Sequence, residues 1–296
     1  MKVDFHCHST ASDGTLRPAQ IAALAEAASI QVLALTDHDN CDGIGELLHC
    51  NRSGTRFVAG VELDICPGNG FDRFHLLGIG IDPEDCSLKN FLSEMVRARC
   101  DRNERMTENF RRLGIEMVDV KGQGGKVRPI DAYANGQVLA RPHFARWLVD
   151  NGYVSTLAEA FDRYLSSNAP AATRCYEKRT LPSQEAALAA VHNAGGLAVM
   201  AHPKYWRTNW KDLGVEFAAA ERELARLKEA GLDGIEAIYG ANTEEENTMF
   251  SRIADKFSLL KTAGSDFHGS NKPQIPLGME VSPDYIEPFL SRLNLL

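Results

Sequence analysis

A distorted seven-stranded β/α barrel, (β/α)7, with a small, mostly helical insertion domain is the fold the sequence predicts, and three observations predict it. Short apolar runs of strand character recur along the chain. Helical stretches separate most of them, the alternation of α/β folds. Most of the candidate histidine and aspartate ligands stand at the carboxyl ends of those runs, where barrels and open α/β sheets place their sites, while Glu62 and His75 lie on such runs or beside one. The alternation fails only in the middle of the chain. Residues 1–83 and 184–296 are therefore expected to form the barrel, and 84–183 the insertion.

The first strand starts at Lys2 and ends in His6-Cys7-His8, followed by a turn carrying Asp13. Residues i and i+2 of a strand face the same way, so His6 and His8 can share one metal, while Cys7 points to the other face and into a core. Arg17-Pro18 opens a helix to about Ala28, with the proline at a first-turn position. Val32 to Leu35 is the second strand and runs into Asp37-His38-Asp39. A helix or irregular stretch reaches about Arg52. Arg56 to Ile65 is the third strand and carries Glu62. Arg73 to Ile81 is the fourth, carries His75 and closes at Asp82-Pro83.

The insertion follows. Its segments read as helical or irregular, with a capping-box signature at Thr156-Leu157-Ala158-Glu159 for a helix ending near Leu165. Gln184 to Asn193 is helix, closed by Gly195-Gly196. Leu197 to Ala201 is the fifth strand, leading to His202. Phe217 to Ala230 is helix, stopped by Gly231, and Gly234 to Tyr239 is the sixth strand. Thr243 caps a helix to about Lys256. Leu259 to Ala263 is the seventh strand, ending at Asp266 and His268.

Nine side chains thus point to metal chemistry: His6, His8, Asp13, His38, Glu62, His75, His202, Asp266 and His268. Imidazoles and carboxylates without thiolates suit manganese, zinc or iron, and manganese is the expected ion. Asp37 and Asp39 are placed to orient histidines from behind. His49 and His192 read as surface histidines.

The 296 residues carry 32 basic and 40 acidic side chains, net −8, which argues against a general binder of long duplex nucleic acid. No apolar run reaches membrane-spanning length, and no signal-peptide pattern opens the chain. Seven scattered cysteines without a Cys-x-x-Cys pair read as reduced thiols of a cytoplasmic protein. Between Arg97 and Arg128, nine basic and five acidic residues give a local net of +4, a basic island suited to an anionic ligand. Leu92, Met95, Met106, Phe110 and Leu113 form a helical apolar stripe that also passes through Arg99 and Arg102. A guanidinium in such a place needs an anionic partner, and a phosphate fits its fork. Arg141 precedes Pro142 at an expected helix start, where an anion meets free amides as well. His143 is a candidate to bind phosphate or protonate a leaving oxygen. Lys178 and Lys204 are further phosphate candidates.

His6-x-His8, Thr36-Asp37-His38-Asp39, Gly60-Val61-Glu62, Ala201-His202-Pro203 and Ser265-Asp266-Phe267-His268, in that order, resemble the polymerase and histidinol phosphatase (PHP) family of the amidohydrolase superfamily. The resemblance covers roughly 1–83 and 184–270. Within it, Arg141-Pro142-His143-Phe144-Ala145-Arg146 resembles the branch of 3′,5′-nucleotide bisphosphatases and short-RNA 5′ exonucleases. The chain departs from similar proteins at Lys204-Tyr205, where Gly-Arg is common, and at Ala169, where lysine often precedes the proline.

The resemblance implies a PHP-type barrel with two or three divalent metals. His6, His8, Glu62 and Asp266 would hold the first, a bridging Glu62 with His75 and His202 the second, and Asp13, His38 and His268 the third. It implies a phosphoesterase that removes the 3′-phosphate of a nucleoside 3′,5′-bisphosphate, with Arg99, Arg102, Arg141 and His143 on the substrate. Arg141 and His143 would also assist the reaction. The partner is then a small phosphorylated nucleotide or short oligonucleotide, with no membrane. A 5′-to-3′ exoribonuclease, a histidinol-phosphatase-like enzyme and a non-catalytic metal-binding module are the alternatives.

Overall fold

The computed structural model describes residues 1–50, 54–66, 73–117, 130, 139–206 and 215–296. Lys121, Lys126 and Arg128 of the basic island lie outside them. The chain divides into two compact units, Met1–Leu92 with Leu181–Leu296, and Ser93–Thr180. Both divisions fall inside the span 84–183 that the change of pattern marks.

The first unit is an eight-stranded, nearly closed barrel. Its strands are β1 (Lys2–Asp4), β2 (Val32–Leu35), β3 (Arg56–Ile65), β4 (Phe74–Ile79), β5 (Leu197–Met200), β6 (Gly234–Tyr239), β7 (Leu260–Gly264) and β8 (Met279–Glu280). The hydrogen-bonded order is β7-β6-β5-β4-β3-β2-β1-β8. Beyond β1 the chain closes onto β7: Phe5 N donates to Ala263 O at 3.0 Å, Asp266 N to His6 O at 2.8 Å and His8 N to Phe267 O at 2.9 Å. Closure removes the exposed edges that an open sheet would leave.

The distortion has a local cause. β4 runs antiparallel to both β3 and β5, whereas β1–β2–β3 and β5–β6–β7 are parallel. The connection from Ile65 to Phe74 is too short for the crossover a parallel neighbour requires, so the chain turns back as a hairpin. This reversal puts the start of β4, with His75, at the rim formed by the carboxyl ends of the parallel strands. There Asp64 pairs with His75.

One core gathers Val3, Val32, Val58, Leu77, Val199 and Ala263 from six strands. It packs against Ile286, Phe289 and Leu290 of a helix not anticipated from the sequence, Pro283–Arg292. Ser282 caps that helix, its Oγ accepting from Tyr285 N at 3.3 Å. Its interior Pro288 masked the helical signal, because proline there removes a backbone donor. β8, two residues long and paired antiparallel with β1, was also not anticipated. On the outer face of β1 and β2, Cys7 packs with Ile21, Ala22, Leu33 and Leu35, and its thiol donates to Ala34 O at 3.3 Å. Cys7 is a core residue, as its strand position requires.

A single 27-residue helix, Cys86–Arg112, begins in the barrel unit and continues into the second unit. The second unit also contains helices Arg141–Asp150 and Leu157–Ala160, the latter widening into a π turn over Phe161–Leu165. Its core contains Met106, Phe110, Phe144, Trp147, Leu148 and Tyr164. The predicted apolar stripe holds through Leu92, Met95, Met106 and Phe110, all buried, but not at Leu113, which is exposed. The helix ends at Arg112, so Leu113 no longer follows its phase.

Candidate metal centre

The barrel brings all nine expected ligands to one rim. Ligand-capable atoms within 4.8 Å of one another fall into four overlapping groups: His8, Asp13, His38 and His268; His6, Glu62 and His202; His6, His8 and Asp266; His38, Glu62 and His75. Glu62 is the hub. Its Oε1 lies 2.7 Å from His75 Nδ1, 3.0 Å from His202 Nε2 and 3.4 Å from His6 Nε2. Its Oε2 lies 2.9 Å from His38 Nδ1 and 3.2 Å from His8 Nε2. Asp13 faces His268 at 3.3 Å, His8 at 3.8 Å and His38 at 3.9 Å.

The donor set fits cations. His6 Nε2 and His8 Nε2 stand 3.1 Å apart, two basic nitrogens facing one point. His38 Nδ1 is buried and satisfies no hydrogen-bond geometry, although Glu62 is close. Burial disfavours the charged forms throughout; mutual attraction outweighs it at the carboxylates and at His6, His8 and His75, whereas at His38 burial prevails and lowers the pKa. Glu62, Asp13 and Asp266 are held well below the usual carboxylate range by surrounding histidines. His8 is pushed up to about 9, because hydrogen bonds to Asp266 and Glu62 overcome its desolvation. Such a buried cluster of anions and imidazoles is able to hold divalent ions through N and O ligands.

Supporting side chains fix the ligands. His268 Nδ1 donates to Asp266 O at 2.8 Å, which leaves Nε2 toward Asp13. The two oxygens of Asp266 differ: Oδ1 faces His6, His8 and His268, while Oδ2 accepts from Tyr239 at 2.8 Å and Lys272 at 2.5 Å. Asp37, expected behind a histidine, instead ties the first loop by accepting from Ser9 N, Ser9 Oγ and Ser12 Oγ. Asp39 Oδ1 lies 3.5 Å from Asp64 N, a backbone contact. His202, Asp266 and Asp39 have φ of 25°, 59° and 56°, left-handed backbone that marks constrained sites.

A cavity of about 410 Å³ opens on this cluster and is lined also by Arg73, Tyr205, Trp206 and Lys272. Residue types at ordinary positions hid Lys272, Tyr239 and Arg73 from sequence reading. Lys204 is held elsewhere, donating to Ala241 O at 2.7 Å and Glu246 at 2.8 Å, which corrects its expected role as a phosphate contact. His49 is exposed and His192 pairs with Asp233 at 2.9 Å, both away from the cluster as expected.

The second unit carries a separate cationic group. Arg102 is 5 % exposed, and its Nε donates to Asn103 at 2.9 Å. Burial pushes its guanidinium down to about 9, reinforced by the charges of Arg99, Arg179 and Arg141. Arg179, also buried, was not singled out from the sequence, since it lies on no periodic segment. Arg141 opens its helix, lies 5.7 Å over Phe161 and 5.5 Å over Tyr176, and donates to Leu165 O at 3.4 Å. His143 Nδ1 accepts from Ala140 N at 2.8 Å, so a neutral ring carries its proton on Nε2.

A base whose folded pKa lies below its unfolded value opposes folding at every pH below the folded pKa, and this cost fades only as pH rises past it. Near neutrality Arg102 therefore costs stability, which an anion bound beside it would return. In chelator-treated protein at pH 7, Arg102→Met should raise Tm in phosphate-free buffer and abolish most of the upward shift caused by phosphate. A lower Tm with the phosphate shift intact would show that Arg102 is a structural cation.

A PHP-domain profile matches residues 4–123. Over 267 residues the chain is 33 % identical to a 3′,5′-nucleoside bisphosphate phosphatase of Chromobacterium violaceum, covering 90 % of this chain and 87 % of that one. It is also 33 % identical to a 5′-3′ exoribonuclease of Haemophilus influenzae, over 90 % of each chain. Its backbone superposes on a solved amidohydrolase of Chromobacterium violaceum with bound sulfate and no metal, with TM-score 0.80, 30 % identity, and 99 % and 96 % of the two chains covered. Relatives of that identity over nine-tenths of the chain, together with the ligand cluster on a barrel rim, establish that the chain belongs to the PHP-domain family of metal-dependent phosphoesterases.

Proposed function

We propose that the protein hydrolyses the 3′-phosphate of nucleoside 3′,5′-bisphosphates, releasing a nucleoside 5′-phosphate and inorganic phosphate. The observation that carries this reading is that the chain has two clusters of opposite construction, carboxylates with imidazoles on the barrel rim and arginines in the second unit. The barrel cluster would hold cations and take the phosphate that is cleaved. The second unit's arginines, with Arg102 buried among like charges, would take the phosphate that is kept. The relative from Chromobacterium violaceum supports the substrate class.

The metal ligands in this reading are the nine rim residues, and the ions are two or three; imidazoles and carboxylates suit manganese, zinc or iron, of which manganese is our choice. Divalent ions held by these residues would supply positive charge for phosphoryl oxygens and would lower the pKa of a water. The chain's own groups do the rest. Lys272 adds a positive charge to the cavity and holds Asp266 in place. Arg99, Arg102 and Arg141 bind the retained phosphate by charge-assisted hydrogen bonds. His143 donates Nε2–H to the same anion, because its Nδ1 is committed to the helix start. We place the protein in the cytoplasm from its free cysteines. Among the described residues, no helix is long and apolar enough to cross a membrane.

A second reading, a 5′-to-3′ exoribonuclease on short RNA, is favoured by the relative from Haemophilus influenzae. With manganese present, adenosine 3′,5′-bisphosphate, adenosine 5′-phosphate, histidinol phosphate and a 5′-phosphorylated trinucleotide should be compared. Adenosine 3′,5′-bisphosphate should give the highest kcat/KM. Faster release of mononucleotides from the trinucleotide would replace the bisphosphatase reading with the exonuclease one, and preference for histidinol phosphate would remove both.

A further inference from the structure

β6 supplies none of the nine expected ligands, yet it carries a fully buried carboxylate, Glu236. Glu236 Oε1 lies 3.0 Å from His6 Nδ1, and Oε2 accepts from the backbone N of His202 at 2.6 Å. One side chain thus reaches two residues of the same ligand group, arriving from β1 and β5. Space is made for it: a Cβ on Gly264 would stand 2.2 Å from Glu236 Oε1 and 2.4 Å from His6 Cβ. The β6–β7 register shifts between Glu236 and Ile238, a bulge of the kind that re-aims a side chain. His202, whose N–H it accepts, has the unfavourable φ of 25°.

We propose that Glu236 is a positioning residue for the metal centre: it holds His6 with its proton on Nδ1 and locks the backbone of His202, so that both rings turn Nε2 toward Glu62 Oε1. The proposal rests on the metal-centre reading above. The donor logic is strict. A carboxylate accepts with both oxygens, which suits a backbone N–H on one side and an imidazole N–H on the other. A primary amide accepts on one side only. The His202 N–H cannot reverse its role, so in Glu236→Gln the amide oxygen serves it and the NH2 faces His6 Nδ1. His6 then accepts at Nδ1 and carries its proton on Nε2, the atom aimed at the cluster, where it blocks ligation. Glu236→Ala removes the orientation but imposes no wrong proton.

The two variants therefore rank in opposite orders for the two roles. Manganese affinity is to be measured by the paramagnetic resonance signal of free Mn²⁺, and fold by the Tm of chelator-treated protein, for wild type, Glu236→Gln, Glu236→Ala and Glu62→Gln. The expected result is a loss of affinity of about 10–100-fold in Glu236→Gln, with a Tm near wild type, and a smaller affinity loss in Glu236→Ala despite its lower Tm. If affinity follows Tm, with Glu236→Ala the worse binder, Glu236 is only a packing residue and the proposal fails. Should Glu236→Ala not fold, Glu236→Gln decides alone, and wild-type affinity there overturns the proposal. Wild-type affinity in Glu62→Gln as well would instead overturn the metal-centre reading itself.

Discussion

Glu62→Gln should leave a folded protein with little bound metal and only a trace of phosphatase activity. Glu62 is buried on β3, with imidazole nitrogens of His75, His38, His202, His8 and His6 between 2.7 and 3.4 Å of its two oxygens. The amide keeps the shape, so β3 and its pairing with β2 and β4 survive. It loses the negative charge shared by those rings and replaces one oxygen by an NH2 that cannot ligate a cation. In a buried site this charge is poorly screened, so its removal is felt in full by any ion held there. Losing several kcal/mol of such stabilisation corresponds to about 10³-fold in kcat/KM. Elemental analysis, circular dichroism and turnover on one preparation check the expectation. Full metal content with normal turnover would show that Glu62 is not a shared ligand.

The ligand cluster was readable in the sequence because every member lies on or just beyond a run with strand periodicity, and a barrel gathers such positions whatever the order of its strands. His6-x-His8 needed only the two-residue period. His75 was harder: it stands near the start of its strand, and only the antiparallel direction of β4 brings it to the common rim. The sequence reading assigned no strand directions, although the short connection before Phe74 forbids a crossover to a parallel neighbour. Arg102 was legible as a cation on an apolar stripe and is buried as that stripe requires. Glu236 was not singled out. Gly234-Ile235-Glu236-Ala237-Ile238-Tyr239 reads as an ordinary buried strand, although a carboxylate inside such a run demands partners, and that demand was the available signal. Lys272 and Tyr239 meet on one oxygen of Asp266 from different elements, a coincidence of tertiary structure that no spacing rule encodes.

Arg99→Ala should weaken turnover of adenosine 3′,5′-bisphosphate far more than that of adenosine 3′-phosphate. Arg99 lies one helical turn before Arg102, half-buried, and its charge is the nearest in effect on the Arg102 guanidinium after burial. A dianionic phosphate is favoured beside several guanidinium groups and meets them with bidentate geometry. Removing one such contact costs roughly 1.5–3 kcal/mol, or about 10–150-fold in kcat/KM. The loss belongs to the pair of arginine and 5′-phosphate, so it vanishes when either is absent. Adenosine 3′-phosphate should be a poor substrate of the wild type and nearly as poor for the variant. The four kcat/KM values form a cycle whose coupling energy reports the contact itself. Equal losses on both substrates would mark Arg99 as structural. A wild type indifferent to the 5′-phosphate would remove the bisphosphatase and exonuclease readings together and leave a phosphoesterase that recognises only the group it cleaves.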